Sequence, residues 1–155
     1  ELMAVKKSKK QKPTPTVLLV ESDVLVRFAL AEHLRFCGIS VIEAVNADDA
    51  KAILVAGPKI NIMLSDAQLA GGGSGFVLAQ WVRRHRPSIE TILTGSLFSK
   101  AQAASEITAR MPDCKPQADA AQLTAKLNAM LAERKRRLRQ QPKSAPMKRR
   151  RQRAS

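Results

Sequence analysis

Tyrosine is absent from this chain, and four phenylalanines and one tryptophan are its only aromatic residues. Any core must therefore be filled by Val, Leu, Ile, Ala and Met, and a hydrophobic content of 45% is enough for one of ordinary size. No apolar run approaches the ~18 residues of a membrane span, so no span is predicted. Residues 6–12 are lysine-rich, but the apolar stretch at 17–20 is far too short for the hydrophobic region of a signal peptide. Cysteine occurs twice, at Cys37 and Cys114, with no metal-ligand spacing. The reading is two buried free thiols in a reducing cytosol rather than a disulfide. No Gly-Lys-Ser/Thr ending follows Gly71-Gly72-Gly73-Ser74-Gly75, so this is a flexible loop into a helix and not a phosphate cradle. His33 and His85 fall inside predicted helices without spaced partners, and no Ser-His-Asp or Cys-His arrangement is visible. No enzyme activity is predicted from these residues. There is no internal repeat.

Acidic residues are missing from one region in particular. Residues 134–155 hold eleven Lys or Arg and no Asp or Glu, whereas residues 14–133 hold 11 basic and 12 acidic side chains. The formal charge of +14 therefore belongs to the two ends of the chain, since residues 1–13 add five Lys against one Glu. Residues 1–15 read as a basic disordered arm, 16–133 as a single globular domain, and 134–155 as a basic tail, disordered once the last helix ends. Such a tail can neutralise phosphates without reading sequence, and no aromatics are interleaved for base stacking. Non-specific nucleic acid is one expected partner.

Within the domain, apolar runs at 16–20, 39–45, 60–65 and 89–94 read as short buried strands, with a weaker fifth at 110–114 that carries Pro112 and Asp113. Helices are predicted between and after them. The first covers 24–36 and stops at Gly38. The second follows the cap Asn46, with acids Asp48 and Asp49 at its start, and ends at Gly57-Pro58. The third follows Ser74 and ends at Pro87, with Phe76, Leu78, Trp81 and Val82 on its apolar face. Ser99-Lys100-Ala101-Gln102 opens the fourth. Asp119 caps the last, whose Leu123, Leu127, Met130 and Leu131 share a face. Alternating strands and helices predict an α/β fold: a doubly wound five-stranded parallel sheet with five helices. In such sheets the ligand edge is the carboxyl end of the strands. That edge would gather Glu21-Ser22-Asp23, Asp66, Thr94-Gly95-Ser96 and Lys115-Pro116.

Acids after the first strand, an Asp after the third, a hydroxyl-bearing turn after the fourth and Lys-Pro after the fifth form an ordered set. With Val20 to Arg27 and Trp81 to Pro87, the set resembles the receiver domain of bacterial two-component response regulators, over about residues 16–133. The resemblance implies a flavodoxin-like fold and a stand-alone, cytoplasmic receiver in a phosphorelay. Asp66 would accept a phosphoryl group from a sensor histidine kinase or phosphotransfer protein. Mg²⁺ would be held by Glu21, Asp66 and the backbone carbonyl of Gln68, with Asp23 a weaker candidate one position late. Lys115 and Thr94 would contact the phosphoryl group, and Thr94, Gly95 and Ser96 would form the switch. Pro116 would follow a cis peptide. Output would pass to a downstream protein target, since residues 134–155 leave no room for an output domain. Ser22 stands where the family has its second acid, which lowers the expected metal affinity. Gly95 stands at the switch hydroxyl, Pro112 at the switch aromatic and Ala70 at the family's proline. These departures keep a second reading open: a pseudo-receiver interaction module with a non-functional phosphorylation site. A third is a basic-tailed protein associated with nucleic acid.

Overall fold

A computed structural model describes residues 14–71 and 73–142. Most of the predicted basic arm, Gly72 in the glycine loop, and the tail beyond residue 142 lie outside the described residues. Four strands form one parallel sheet: β1 (Thr16–Val20), β2 (Ser40–Ala44), β3 (Ile62–Asp66) and β4 (Glu90–Thr94), in the order β2-β1-β3-β4. Five helices accompany them: α1 (Val24–Phe36), α2 (Ala47–Ala56), α3 (Gly75–His85), α4 (Leu97–Ala109) and α5 (Ala120–Gln140).

The central strands are apolar on both faces because helices cover both. Val17 and Leu19 of β1, with Ile62 and Leu64 of β3, pack against α1, α4 and α5. Leu18, Val20 and Met63 point the other way, into a second cluster with Leu54 of α2 and Leu78 and Val82 of α3. This alternation is the two-residue period of a strand. A one-residue slip of register would exchange the two sets, so Val17↔Ile62 to Val20↔Ser65 is strongly specified. Leu18, Leu19 and Met63 are fully buried. Each contributes roughly 1.5–3 kcal/mol of apolar burial.

The helix starts are set locally. Asp23 accepts from the backbone N–H groups of Leu25 and Val26, Asn46 from Asp49, Ser74 from Val77 and Asp119 from Gln122. The fourth helix begins earlier than its sequence suggests. Ser96, not Ser99, is the cap, and Ser99 closes a reciprocal box by accepting from the Ser96 N–H.

The expected fifth strand does not form. Residues 110–114 make turns instead: the N–H groups of Arg110, Met111 and Cys114 donate to Ile107, Thr108 and Met111. Pro112 has no N–H to give a ladder. A second restraint is the disulfide between Cys37 and Cys114, with Cα atoms 5.4 Å apart, which corrects the free-thiol expectation. It holds the segment at the C-terminal end of α1. With no strand to return to, α4 is not a crossover, and it packs on the same face of the sheet as α1. The last helix then runs antiparallel to α1. Beyond Cys114, Lys126 pairs with Glu32 at 3.7 Å and Arg134 with Asp23 at 2.6 Å. Helix α5 continues through the start of the basic run and ends at Gln140. Among the described residues, no helix is long and apolar enough to cross a membrane.

Candidate functional site

Strands β1 and β3 are neighbours, and Val20 pairs with Ser65 in the parallel register. The next residue of β3, Asp66, and the residue that follows β1, Glu21, therefore emerge side by side at the carboxyl edge. Glu21 is only 3% exposed. Between the two carboxylates lies Lys100, from the first turns of α4, itself 7% exposed. Its Nζ is 2.7 Å from Glu21 Oε2 and 2.9 Å from Asp66 Oδ2.

Lys100 is an improbable surface lysine by its position. It sits near a helix N-terminus, where the dipole disfavours a cation. It also lies on the buried stripe of α4, with Ala101, Ala104, Ile107 and Thr108. Both penalties are offset by the paired carboxylates. Burial pulls its pKa down, but hydrogen bonds to Glu21 and Asp66 outweigh burial and raise it above the ordinary 10.5. Small alanines around it let α4 come close to the sheet.

The remaining oxygens are also engaged. Glu21 Oε1 accepts from the Asp23 N–H at 3.1 Å, and Asp66 Oδ1 from the Gln68 N–H at 2.9 Å. Asp23 faces elsewhere: it caps α1 and takes a two-pronged contact from Arg134, Nη1 to Oδ1 at 3.0 Å and Nη2 to Oδ2 at 2.6 Å. Arg134 holds the Asp23 carboxyl below its usual range. Ser22 stitches loops together, its hydroxyl donating to Val45 O and accepting from the Ala70 N–H, both at 3.0 Å.

The sequence-predicted residues thus separate into two groups. Glu21 and Asp66 come together; Gln68 lies beside Asp66, in a bridge with Ser74. Thr94 ends β4 but is buried, its hydroxyl turned to Ser65 O at 3.4 Å. Gly95 and Ser96 serve the start of α4, the first donating its N–H to Ser99 and the second capping the helix. Lys115 is exposed, in the loop next to Cys114. That loop is tied to the far end of α1, roughly 20 Å of helix away from Asp23. Lys115 and Asp66 are thus at opposite ends of the domain. The expected cis peptide before Pro116 is trans, as are all peptides among the described residues.

The residues at the edge do not fit Mg²⁺ as arranged. A divalent cation needs oxygens free to turn inward. Here an ammonium occupies the space between the two carboxylates, and their other oxygens accept backbone N–H groups. Glu21, Asp66 and Lys100 carry a combined formal charge of −1. Among the described residues, no three His, Cys, Asp or Glu side chains converge as metal ligands.

Sequence reading missed Lys100 as a pocket residue. A signal was present: it is the one charged residue between Gly95 and Ser105, and it falls on the apolar stripe of the helix.

Comparison with solved structures places this edge in a known fold. The chain is similar to the signal receiver domain of an HD domain-containing protein from Pseudomonas fluorescens Pf-5, with a TM-score of 0.53 and 18% identity over 87% of this chain and 99% of that one. It is similar to a CheY-like response regulator receiver domain protein from Methanospirillum hungatei JF-1, at 0.51 and 21%, covering 81% of this chain and 99% of that one. A response regulator from Thermotoga maritima, in complex with Mg²⁺ and beryllofluoride, aligns at 0.50 and 21%, covering 61% and 81%. No family model and no curated protein matches the sequence. The fold is that of response regulator receiver domains, built on four strands among the described residues.

Proposed function

We propose that the chain is a receiver-type signalling module that acts by protein contact, with its acidic pocket closed by its own lysine. The reading rests on one observation, the Lys100 ammonium held between Glu21 and Asp66. In a receiver that turns over phosphate, a divalent cation neutralises the carboxylate and the anionic phosphoryl group together. Here the neutralising charge is tethered, monovalent and buried. The position that the family gives to a second acid is Ser22, and its hydroxyl is engaged in loop contacts. Exposed apolar side chains border the same edge: Val24 starts α1, Val45 follows β2, Phe76 and Val77 lie in the first turn of α3, and Phe98 lies in the first turn of α4. Such residues suit a downstream protein partner.

A second reading is favoured by the Asp66–Lys100 pair itself. Lys100 could take the role that the resemblance gives to Lys115, leaving Asp66 as phosphoacceptor for a histidine kinase or phosphotransfer protein. One experiment separates the two. The full chain is incubated with millimolar Mg²⁺ and either acetyl phosphate or beryllofluoride, then followed by intact mass and calorimetry beside Asp66→Asn. The pseudo-receiver reading expects no Asp66-dependent adduct. An adduct abolished by Asp66→Asn overturns it in favour of the phosphoacceptor.

A further inference from the structure

The basic run does not start in a loop. Arg134, Lys135, Arg136, Arg137 and Arg139 lie on the last turns of α5, which is anchored at both ends. At its start the Cys37–Cys114 disulfide fixes the preceding segment to α1, and near its end Arg134 grips Asp23 through two hydrogen bonds. Beyond that grip the helix carries exposed cations. Arg136 and Arg137 share Glu133, while Lys135 and Arg139, four residues apart and so on one face, have no acidic partner among the described residues. Six further Lys or Arg follow in residues 143–155, with no acid among them.

From this arrangement we propose that the C-terminal end of α5 binds the phosphodiester backbone of duplex nucleic acid without reading its sequence. A preordered helix gives up less conformational entropy on binding than a free tail. Arginine, which supplies most of these charges, pairs with phosphate oxygens through two donors at once. The basic run holds no aromatic residue, which removes stacking on single strands. A lipid surface is the poorer partner. A helix that lies on a membrane needs an exposed apolar face, whereas the apolar face of α5 (Leu123, Leu127, Met130 and Leu131) packs on the core and leaves Leu138 exposed beyond it.

The test is fluorescence anisotropy of the full chain with a mixed-sequence duplex of about 20 base pairs over a salt series. It is repeated for a variant carrying Lys135→Gln, Arg136→Gln, Arg137→Gln and Arg139→Gln. Arg134 is kept so that α5 stays anchored, and a thermal melt confirms the fold. Binding should weaken steeply with salt, and the variant should bind at least about tenfold more weakly, with a log–log salt slope shallower by about 2–4. Phosphatidylserine vesicles and poly-glutamate serve as rival polyanions. No duplex binding overturns the proposal, as does an unchanged affinity in the variant. Tighter binding to vesicles or to poly-glutamate than to duplex overturns it equally.

Discussion

Lys100 and Asp66, thirty-four residues apart in sequence, meet at 2.9 Å at the carboxyl edge of the sheet, with Glu21 on the other side of the same ammonium. Removing one member of such a group leaves uncompensated charge in a poorly solvated place. Lys100→Met is therefore expected to cost about 3–5 kcal/mol. Adding Glu21→Gln and Asp66→Asn to it should recover most of that loss, because no charge then remains to be compensated. Urea denaturation of the single and triple variants checks this. If Lys100→Met were nearly neutral, the ammonium would not be the group that holds the pocket.

The same pair sets an alkaline limit. The Lys100 pKa is raised in the folded state, with burial opposing and the two carboxylates prevailing. Its contribution is therefore fully present below the unfolded value of 10.5 and is lost as pH rises through the higher folded value. Melting temperature should hold to about pH 10 and fall above it. In the triple variant, the portion of the fall due to Lys100 should vanish. Thermal melts across the alkaline range read the difference.

The Asp23–Arg134 contact sets the acid limit for α5. Arg134 holds the Asp23 pKa below its ordinary 3.8. A depressed carboxylate contributes stability above the unfolded value, and loses it as pH falls through the folded one. The C-terminal turns of α5 should loosen below pH 3.8, and Arg134→Gln should loosen them already at neutral pH. Hydrogen exchange of the amides of residues 130–140 measures both. Equal protection in the variant and the parent would show that α5 does not depend on this grip.

Much of the architecture was legible because it is written locally. Short apolar runs bounded by turn residues marked the four strands, and Asn46, Ser74 and Asp119 marked helix starts that hydrogen bonds reproduce. The acidic partners in the candidate site, Glu21 and Asp66, were readable from their place where β1 and β3 end. The cation was not. Lys115 followed the expected motif, but the motif presumed a fifth strand, which Pro112 and the disulfide prevent. The cation between the two acids is Lys100, from a helix that starts one capping serine earlier than its sequence suggests. The Cys37–Cys114 bridge spans 77 residues and the Asp23–Arg134 pair 111, and no local pattern carries such pairings.

That bridge yields its own expectation. It closes a long loop and fixes the segment between α4 and α5 to the end of α1. Cys37→Ser with Cys114→Ser should lower stability by about 2–5 kcal/mol. Reductant should destabilise the parent by a similar amount and leave the double variant unchanged. Denaturation with and without reductant tests this, and a reductant effect that persists in the double variant would place its cause elsewhere.

Gly75 gives the sharpest steric test of how Asp66 is held. It opens α3 and donates its N–H to Ala67 O at 3.0 Å, so the start of the helix lies directly over the end of β3. A Cβ at Gly75 would fall inside contact distance of the Asp66 carbonyl oxygen and 2.9 Å from the Ala67 Cα. Both neighbours are backbone, which cannot swing aside like a side chain. Gly75→Ala must therefore push β3 and α3 apart, at an expected cost of about 1–3 kcal/mol. The displacement falls on Asp66, so the Asp66–Lys100 distance should lengthen, visible as perturbed amide shifts of Asp66, Gln68 and Lys100. Gly95→Ala is the matched control, since a Cβ there meets nothing within 4 Å. It should change stability by less than about 0.5 kcal/mol. A Gly75→Ala variant as stable as Gly95→Ala, with those amide shifts unmoved, would mean that the close approach of α3 does not position the acid.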